Sequence, residues 1–369
     1  MPTASHPSLT RAPFGRTPDS IPVELWTLDS GTGLRAQVLS YGGILHRLEV
    51  PDRDGRPDTV VLGLPTAEDY AAQGAYLGAL VGRYANRIAG GAFRLDGRTH
   101  RIPAQDRGHA LHGGPDGFHR RHWSVRPGPV TADAAGLLLR LRSPDGDMGF
   151  PGTLDVQAGY TLRQDGVLAV EFTARCDRPT VVNLTHHAYF NLGGPHCPDV
   201  LGHRLQVEAD GFLPVTADAI PLPGAPAPVD GTPFDLRKPG VLGELLAAPD
   251  PQLHAAGGYD HCWTLRPAEP DAPGGLRRAA VLAEPGTGRT MEVWTSEPGL
   301  QVYTGNALDG SLAGPDGRAY GRHAGLCLET QHFPDAPNRP DYPTTELRPG
   351  QLLRSRTEFR FPAHIGPGL

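Results

Sequence analysis

An all-β protein, a large antiparallel β-sandwich with very few short helices, is what this 369-residue sequence predicts. Apolar runs are short and recur at close intervals. The 48 glycines and 39 prolines punctuate those runs instead of clustering in blocks, which is how turns divide strands. No stretch sustains a helical period for more than about two turns.

Residues 1–20 read as a flexible polar arm, because Pro, Ser and Thr are frequent and apolar periodicity is missing. Residues 21–369 then read as a single sandwich domain. Its first strands are Val23–Leu28, Leu34–Leu39 and Ile44–Val50, separated by glycine-containing turns. Phe93 to Ile102 has a hairpin pattern, with Asp96-Gly97 supplying two positive-φ turn positions. Leu154–Arg163 and Val167–Arg175 are expected to repeat that device around Asp165-Gly166. Further strands are expected at Arg204–Glu208, Ala279–Ala283, Thr290–Trp294, Gln301–Thr304 and Leu326–Glu329. Thr66–Gln73 and Val241–Ala247 can each make two helical turns. Pro221–Asp230 reads as a long loop inside the domain, and no internal repeat is present.

The formal net charge is −6 and the single lysine is Lys238, so the basic stripe of a nucleic-acid binder is missing. Four cysteines, Cys176, Cys197, Cys262 and Cys327, lie far apart without a CxxC pair and read as reduced thiols. The first 20 residues lack the apolar stretch of a signal peptide, and no apolar run approaches membrane-spanning length. A cytoplasmic protein acting on small soluble molecules is the expectation, with no nucleic-acid or membrane partner.

Six polar segments carry the chemistry. Gly82-Arg-Tyr-Ala-Asn-Arg-Ile88 offers two arginines and an asparagine, suited to hydroxyls or a carboxylate, or to the surface. Leu111-His-Gly-Gly114, with Trp123 nearby, lets backbone approach a ligand while the imidazole projects, unless it is a plain turn. Val181 to Leu192 alternates so that Asn183, Thr185 and His187 face one way and Leu184 and His186 the other. Gly258-Tyr-Asp-His-Cys-Trp263 sets an acid between an aromatic and a histidine. Gln301 to Asn306 is the fifth segment. In the sixth, Cys327 to Ala336, Glu329 ends an apolar strand, where burial raises a carboxyl pKa and is costly without a purpose.

Together with Ser143-Pro-Asp-Gly-Asp-Met-Gly-Phe-Pro-Gly152, Leu213-Pro-Val and Thr232-Pro-Phe-Asp235, these segments resemble the aldose 1-epimerase (galactose mutarotase) family, in family order from about residue 30 to 360. The resemblance implies a β-sandwich of the galactose mutarotase type with an open cleft on one sheet. It implies interconversion of the α- and β-anomers of free aldohexoses such as galactose and glucose, with no cofactor or metal. It makes His187 the general acid and Glu329 the general base, with His112 contacting the sugar near its ring oxygen and anomeric hydroxyl. Asn86, Arg87 and Asp260 fall on sugar-binding positions, and Gln301 is a further hydroxyl contact. The family usually has Asn where this chain has His186; register assigns His187 to the family histidine, and alternation turns His186 away from the sugar.

These residue types suit the reaction. A cyclic hemiacetal opens when its anomeric hydroxyl loses a proton while its ring oxygen gains one, so a carboxylate and an imidazolium are wanted together, each favouring the other's charge. Tyr84, Trp123 and Phe333 are candidates for covering the sugar ring, with core packing as the competing role. Two other readings on the same fold are a non-catalytic sugar-binding protein and a sugar-phosphate epimerase. The latter needs extra arginines at the cleft mouth, for which Arg83, Arg120 and Arg121 are available. A metal hydrolase drawing on the 16 histidines finds no HxH or HExxH spacing. Monomer and homodimer both fit.

Overall fold

The computed structural model describes residues 6–362. Three antiparallel sheets carry the architecture, of nine, six and five strands. The nine-stranded sheet runs from Ser124–Val130 at one edge, through the meander Ala134–Ser143, Leu154–Arg163 and Val167–Cys176, to Gly240–Val241 at the other. Its centre is Leu353–Arg360, which pairs with Val167–Cys176 on one side and Thr290–Thr295 on the other. One continuous core takes residues from all three sheets, including Leu28 and Val38, Leu139 and Tyr160, and Leu300 and Leu328. The nine strands therefore form one layer and the other two sheets face it, the arrangement of a sandwich. At their interface Thr330 Oγ1 of the six-stranded sheet lies 2.6 Å from Thr357 Oγ1 of the nine-stranded one.

Alternation explains the strands. Leu154–Arg163 buries every second residue, from Leu154 and Val156 to Tyr160 and Leu162, while the others meet solvent in part. Asp96 and Gly97 both take positive φ, 47° and 77°, as a two-residue hairpin requires. The turn at Gln164 to Gly166 differs. Only Gly166 is left-handed there, at φ 86°, so this is a longer turn ending in a glycine, not a second copy of the first device.

The expectation of a flexible arm over residues 1–20 is corrected. Ser8–Arg16 is a strand paired antiparallel with Pro22–Asp29 at the edge of the five-stranded sheet. Nearly all its side chains are exposed, so burial never imposed an alternating pattern for the eye to find. Residues 1–5 and 363–369, the extremes of the expected arm and domain, lie outside the described residues. Among the described residues there are three short α-helices. Ala67–Ala72 and Leu242–Leu246 fall in the expected places. Pro251–Ala256 was not expected, although its signals are local: Asp250 caps it, Pro251 opens it and Gly257 closes it at φ 69°. No helix among the described residues is long and apolar enough to cross a membrane.

Candidate active site

The site grows from the outer face of the six-stranded sheet and two flanking loops. Strands Asp260–Leu265, Gly299–Tyr303 and Leu326–Gln331 are neighbours, with Cys262 opposite Gln301 and Gln301 opposite Glu329. Leu326 and Leu328 enter the core, so alternation turns Cys327 and Glu329 outward. His187 sits between two short strands and is pinned through its backbone. Its N–H donates to Ala79 O and its carbonyl accepts from Gly78 N, both at 2.9 Å.

The third support is a pair of left-handed residues. Arg87–Ile88 pairs with Ala110–Leu111, and just outside that pair Asn86 (φ 62°) and His112 (φ 51°) turn toward each other. His112 N donates to Asn86 O, and Asn86 N donates to His112 Nδ1 at 3.2 Å. Gly113, next in the chain, packs its backbone against Gly82, where a Cβ would lie 2.2 Å from Gly82 O.

These supports surround an open cavity of about 480 Å³. His187 Nε2 lies 3.7 Å from Glu329 Oε1, and the His187 and His112 rings are 5.2 Å apart. Glu329 Oε2 is buried without a partner. Arg87 donates from Nε to Asp106 Oδ2 at 2.8 Å and holds its NH1 3.9 Å from Asp260 Oδ2. Behind Asp260, Gln301 Nε2 donates to its Oδ1 at 2.7 Å.

Burial dominates the electrostatics. It pushes Glu329 well above the usual carboxyl range, with the nearby Asp260 charge adding to the rise. It pushes His187 down to about 4 against a smaller opposing pull from Asp260. The expected mutual stabilisation of carboxylate and imidazolium is thus opposed by burial, which favours the neutral form of each group. His112 is held neutral, well below its usual value. Because its Nδ1 accepts the Asn86 N–H, its own proton sits on Nε2.

Of the residues expected at the site, His187, Glu329, His112, Asn86, Arg87 and Asp260 all line this one cavity. Gln301 does not reach the wall; it stands behind Asp260. His186 turns into the core between Tyr160 and Phe359, with both ring nitrogens unpartnered. Asn183 and Thr185 are fasteners: Asn183 bonds Ala85 O and His332 N, and Thr185 bonds Thr330 O. Tyr84, Trp123 and Phe333 are buried away from the cavity, whose aromatic residues are Tyr76, Tyr189 and Tyr303. Arg83 is buried too, donating to the carbonyls of Ser143, Pro144, Pro151 and Gly152, and so secures the Ser143–Gly152 turn. Arg121 pairs with Asp147. The cavity's cations are Arg87 and Arg107 instead. Sequence reasoning missed Tyr76, Asp106 and Arg107, which sit in loops without strand or motif signal. Tyr303 lay within a segment of interest without being singled out.

The aldose 1-epimerase family model matches residues 24–360. The chain belongs to the aldose 1-epimerase family. It is 43% identical over 355 residues to galactose mutarotase of Bos taurus, covering 96% of this chain and 98% of that protein. Identity to aldose 1-epimerase of Escherichia coli (strain K12) is 37% over 346 residues, covering 93% and 96%. Among solved structures, galactose 1-epimerase from Lactobacillus acidophilus NCFM superposes with a TM-score of 0.83 at 28% identity, covering 97% of this chain and 99% of that one. An aldose epimerase homologue from C. elegans gives 0.81 at 27% identity, covering 98% and 100%. The epimerase is therefore an isomerase, and its reaction interconverts sugar anomers.

One other chemistry is worth testing on the epimerase's cleft. His112, His187 and Glu329 bring ligand-type atoms within 4.8 Å of one another, a donor set that zinc sites also use. The tautomer of His112 speaks against it. With its proton on Nε2, that ring presents a hydrogen to the cleft and not a lone pair.

Proposed function

We propose that this epimerase opens and recloses free aldohexoses, galactose and glucose among them, with Glu329 as general base and His187 as general acid. The observation that carries the assignment is the 3.7 Å approach of His187 Nε2 to Glu329 Oε1 on the wall of an open cavity. In the closed sugar complex Glu329 is a carboxylate and His187 an imidazolium. Glu329 takes the proton of the anomeric hydroxyl, and the O1–H electrons form the C1=O bond. The C1–O5 bond breaks toward O5, which receives the proton of His187.

Opening leaves a carboxylic acid and a neutral imidazole. That is the state burial favours for each, so discharging two buried charges assists the step. At 3.7 Å the two groups titrate as a pair. Rotation about C1–C2 presents the other face of the aldehyde, and reclosure with the proton roles reversed gives the other anomer. His112, with Nε2–H toward the cleft, donates to the sugar oxygen on which charge develops. Asn86, Arg87 and Asp260 bind ring hydroxyls, and Gln301 positions Asp260.

Phosphorylated sugars fit this cleft poorly. Arg87 is engaged by Asp106, Arg107 lies near Asp106, and with Asp260 and Glu329 the wall carries three carboxyl groups against two arginines. The test follows freshly dissolved α-galactose and α-glucose by polarimetry. Wild-type protein is expected to speed the approach to anomeric equilibrium for at least one of them; no acceleration of any common aldose overturns the substrate reading.

A further inference from the structure

The aromatic residue at the centre of the site is one the reaction scheme does not use. Tyr76 lies in the loop before strand Leu80–Val81, half-buried on the cavity wall. Its ring centroid is 4.5 Å from that of His112, 4.6 Å from His119 and 5.7 Å from His187. Three imidazoles therefore pack on a single phenol ring, and two of them are the proposed proton-handling histidines. His119 is buried, does not line the cavity, and completes the stack from behind.

The backbone shows how firmly that ring is placed. Tyr76 sits at φ 58°, a left-handed conformation that L residues with a Cβ adopt only when their surroundings impose it. Those surroundings are His187 and its neighbours. Gly78 N donates to His187 O and His187 N to Ala79 O. Ala79 N closes the turn on Tyr76 O, and the Tyr189 hydroxyl donates to Ala75 O. The loop is thus fastened to the backbone of the histidine whose ring it contacts. The phenol oxygen lies beside the Gln105 side chain.

We infer that the Tyr76 ring is a positioning element for the acid–base site: it sets the spacing and orientation of His112 and His187, and its hydroxyl is dispensable for that. The imidazole of His112 is tied through Nδ1 to Asn86 N, and His187 is held by its backbone and by Cys327 Sγ, 3.5 Å from its Nδ1. Tyr189 flanks His187 alone, whereas the Tyr76 ring meets both imidazoles and so holds their relative placement. The inference rests on His187 and His112 handling protons as proposed above.

The test compares Tyr76→Phe and Tyr76→Leu with wild type and Glu329→Gln, by polarimetry of fresh α-galactose over a range of concentrations. Tyr76→Leu is expected to lose about 10²-fold in kcat with KM changed less than about threefold, the signature of misplaced reacting groups. Tyr76→Phe is expected to restore kcat to within about threefold of wild type by keeping the ring. If the Leu variant does not fold, as judged by circular dichroism, Tyr76→Met of similar volume takes its place. A Leu or Met variant with wild-type kcat overturns the inference, and so does a Phe variant as impaired as Leu, which would assign the role to the hydroxyl. A loss confined to KM overturns it too, marking Tyr76 as a binding surface. Full activity in Glu329→Gln would instead strike at the acid–base assignment itself, so the two failures are told apart.

Discussion

His186 and His187 are adjacent in sequence and both are buried, yet they belong to different regions of the molecule. His187 faces the cleft, 3.7 Å from a carboxyl group, beside His112 and near an aromatic ring. His186 faces the sandwich core, between Tyr160 and Phe359, with neither nitrogen hydrogen-bonded. Burial lowers the pKa of both, to about 4 for His187 and about 3 for His186. Desolvation therefore does not separate a chemical group from a structural one. The difference lies in what the ring meets: a proton partner and an open cavity on one side, apolar packing on the other. Asp260 and His261 split in the same way between cleft and core, but His261, among Phe212 and Phe234, has both ring nitrogens partnered, by Asp260 N and Gln252 Oε1.

Substitutions can break or sharpen this comparison. The largest effect is expected on the cleft side. Glu329→Gln and His187→Asn should each lower kcat by about 10²–10⁴-fold, the usual contribution of a positioned acid or base, with a much smaller change in KM. Polarimetry with varied sugar concentration measures both constants. Asp260→Asn comes next: it weakens a hydroxyl contact and the approach to Arg87, and it removes a charge that raises both Glu329 and His187 while leaving both proton-carrying groups in place. Its expected signature is a rise in KM of about 10-fold, as for loss of one charge-assisted hydrogen bond, with kcat falling less.

The smallest effect on rate is expected on the core side. His186→Leu should leave the rate of mutarotation within about threefold of wild type, since the ring touches nothing in the cleft. Its readout is stability against pH. A histidine whose folded pKa lies below its unfolded value of 6.5 binds more protons when unfolded between those values. The folded state therefore loses stability as pH falls from 6.5 toward 3, and is unaffected by that group above 6.5. Removing His186 should flatten the acid side of the curve by about 1.4 kcal/mol per pH unit, one proton's worth, in urea unfolding at pH 7, 6 and 5. His46, His119, His203 and His261 are likewise pushed down to between about 3 and about 4 by burial, so a strong residual slope should remain. A His186→Leu variant with wild-type stability and severely reduced activity would reverse the assignment of the two histidines.

Much of this was legible in the chain. Strands with one buried face announce themselves by alternation, as Leu154–Arg163 does, and Asp96-Gly97 fixed its hairpin by φ preference alone. Glu329 was legible because a carboxyl at the end of Leu326-Cys327-Leu328 has no cheap reason to be buried. Ser8–Arg16 was not legible, since an exposed edge strand is held by backbone hydrogen bonds and needs no apolar pattern. Tyr76 and Asp106 were hidden for another reason: each lies in a loop, and only the closing of that loop against His187 or Arg87 gives it a role.

By itself, the sequence determined the all-β class, the family and six residues that share one cavity, because those depend on residue type and spacing along the chain. Tertiary structure decided which faces became the cleft and how charge is held there. It put His112's proton on Nε2 through an N–H 26 residues away, moved Gln301 behind Asp260, and replaced Tyr84, Trp123 and Phe333 by tyrosines from other segments. It also set burial against the attraction between His187 and Glu329, since desolvation depends on everything packed around a group and a linear sequence carries no measure of that.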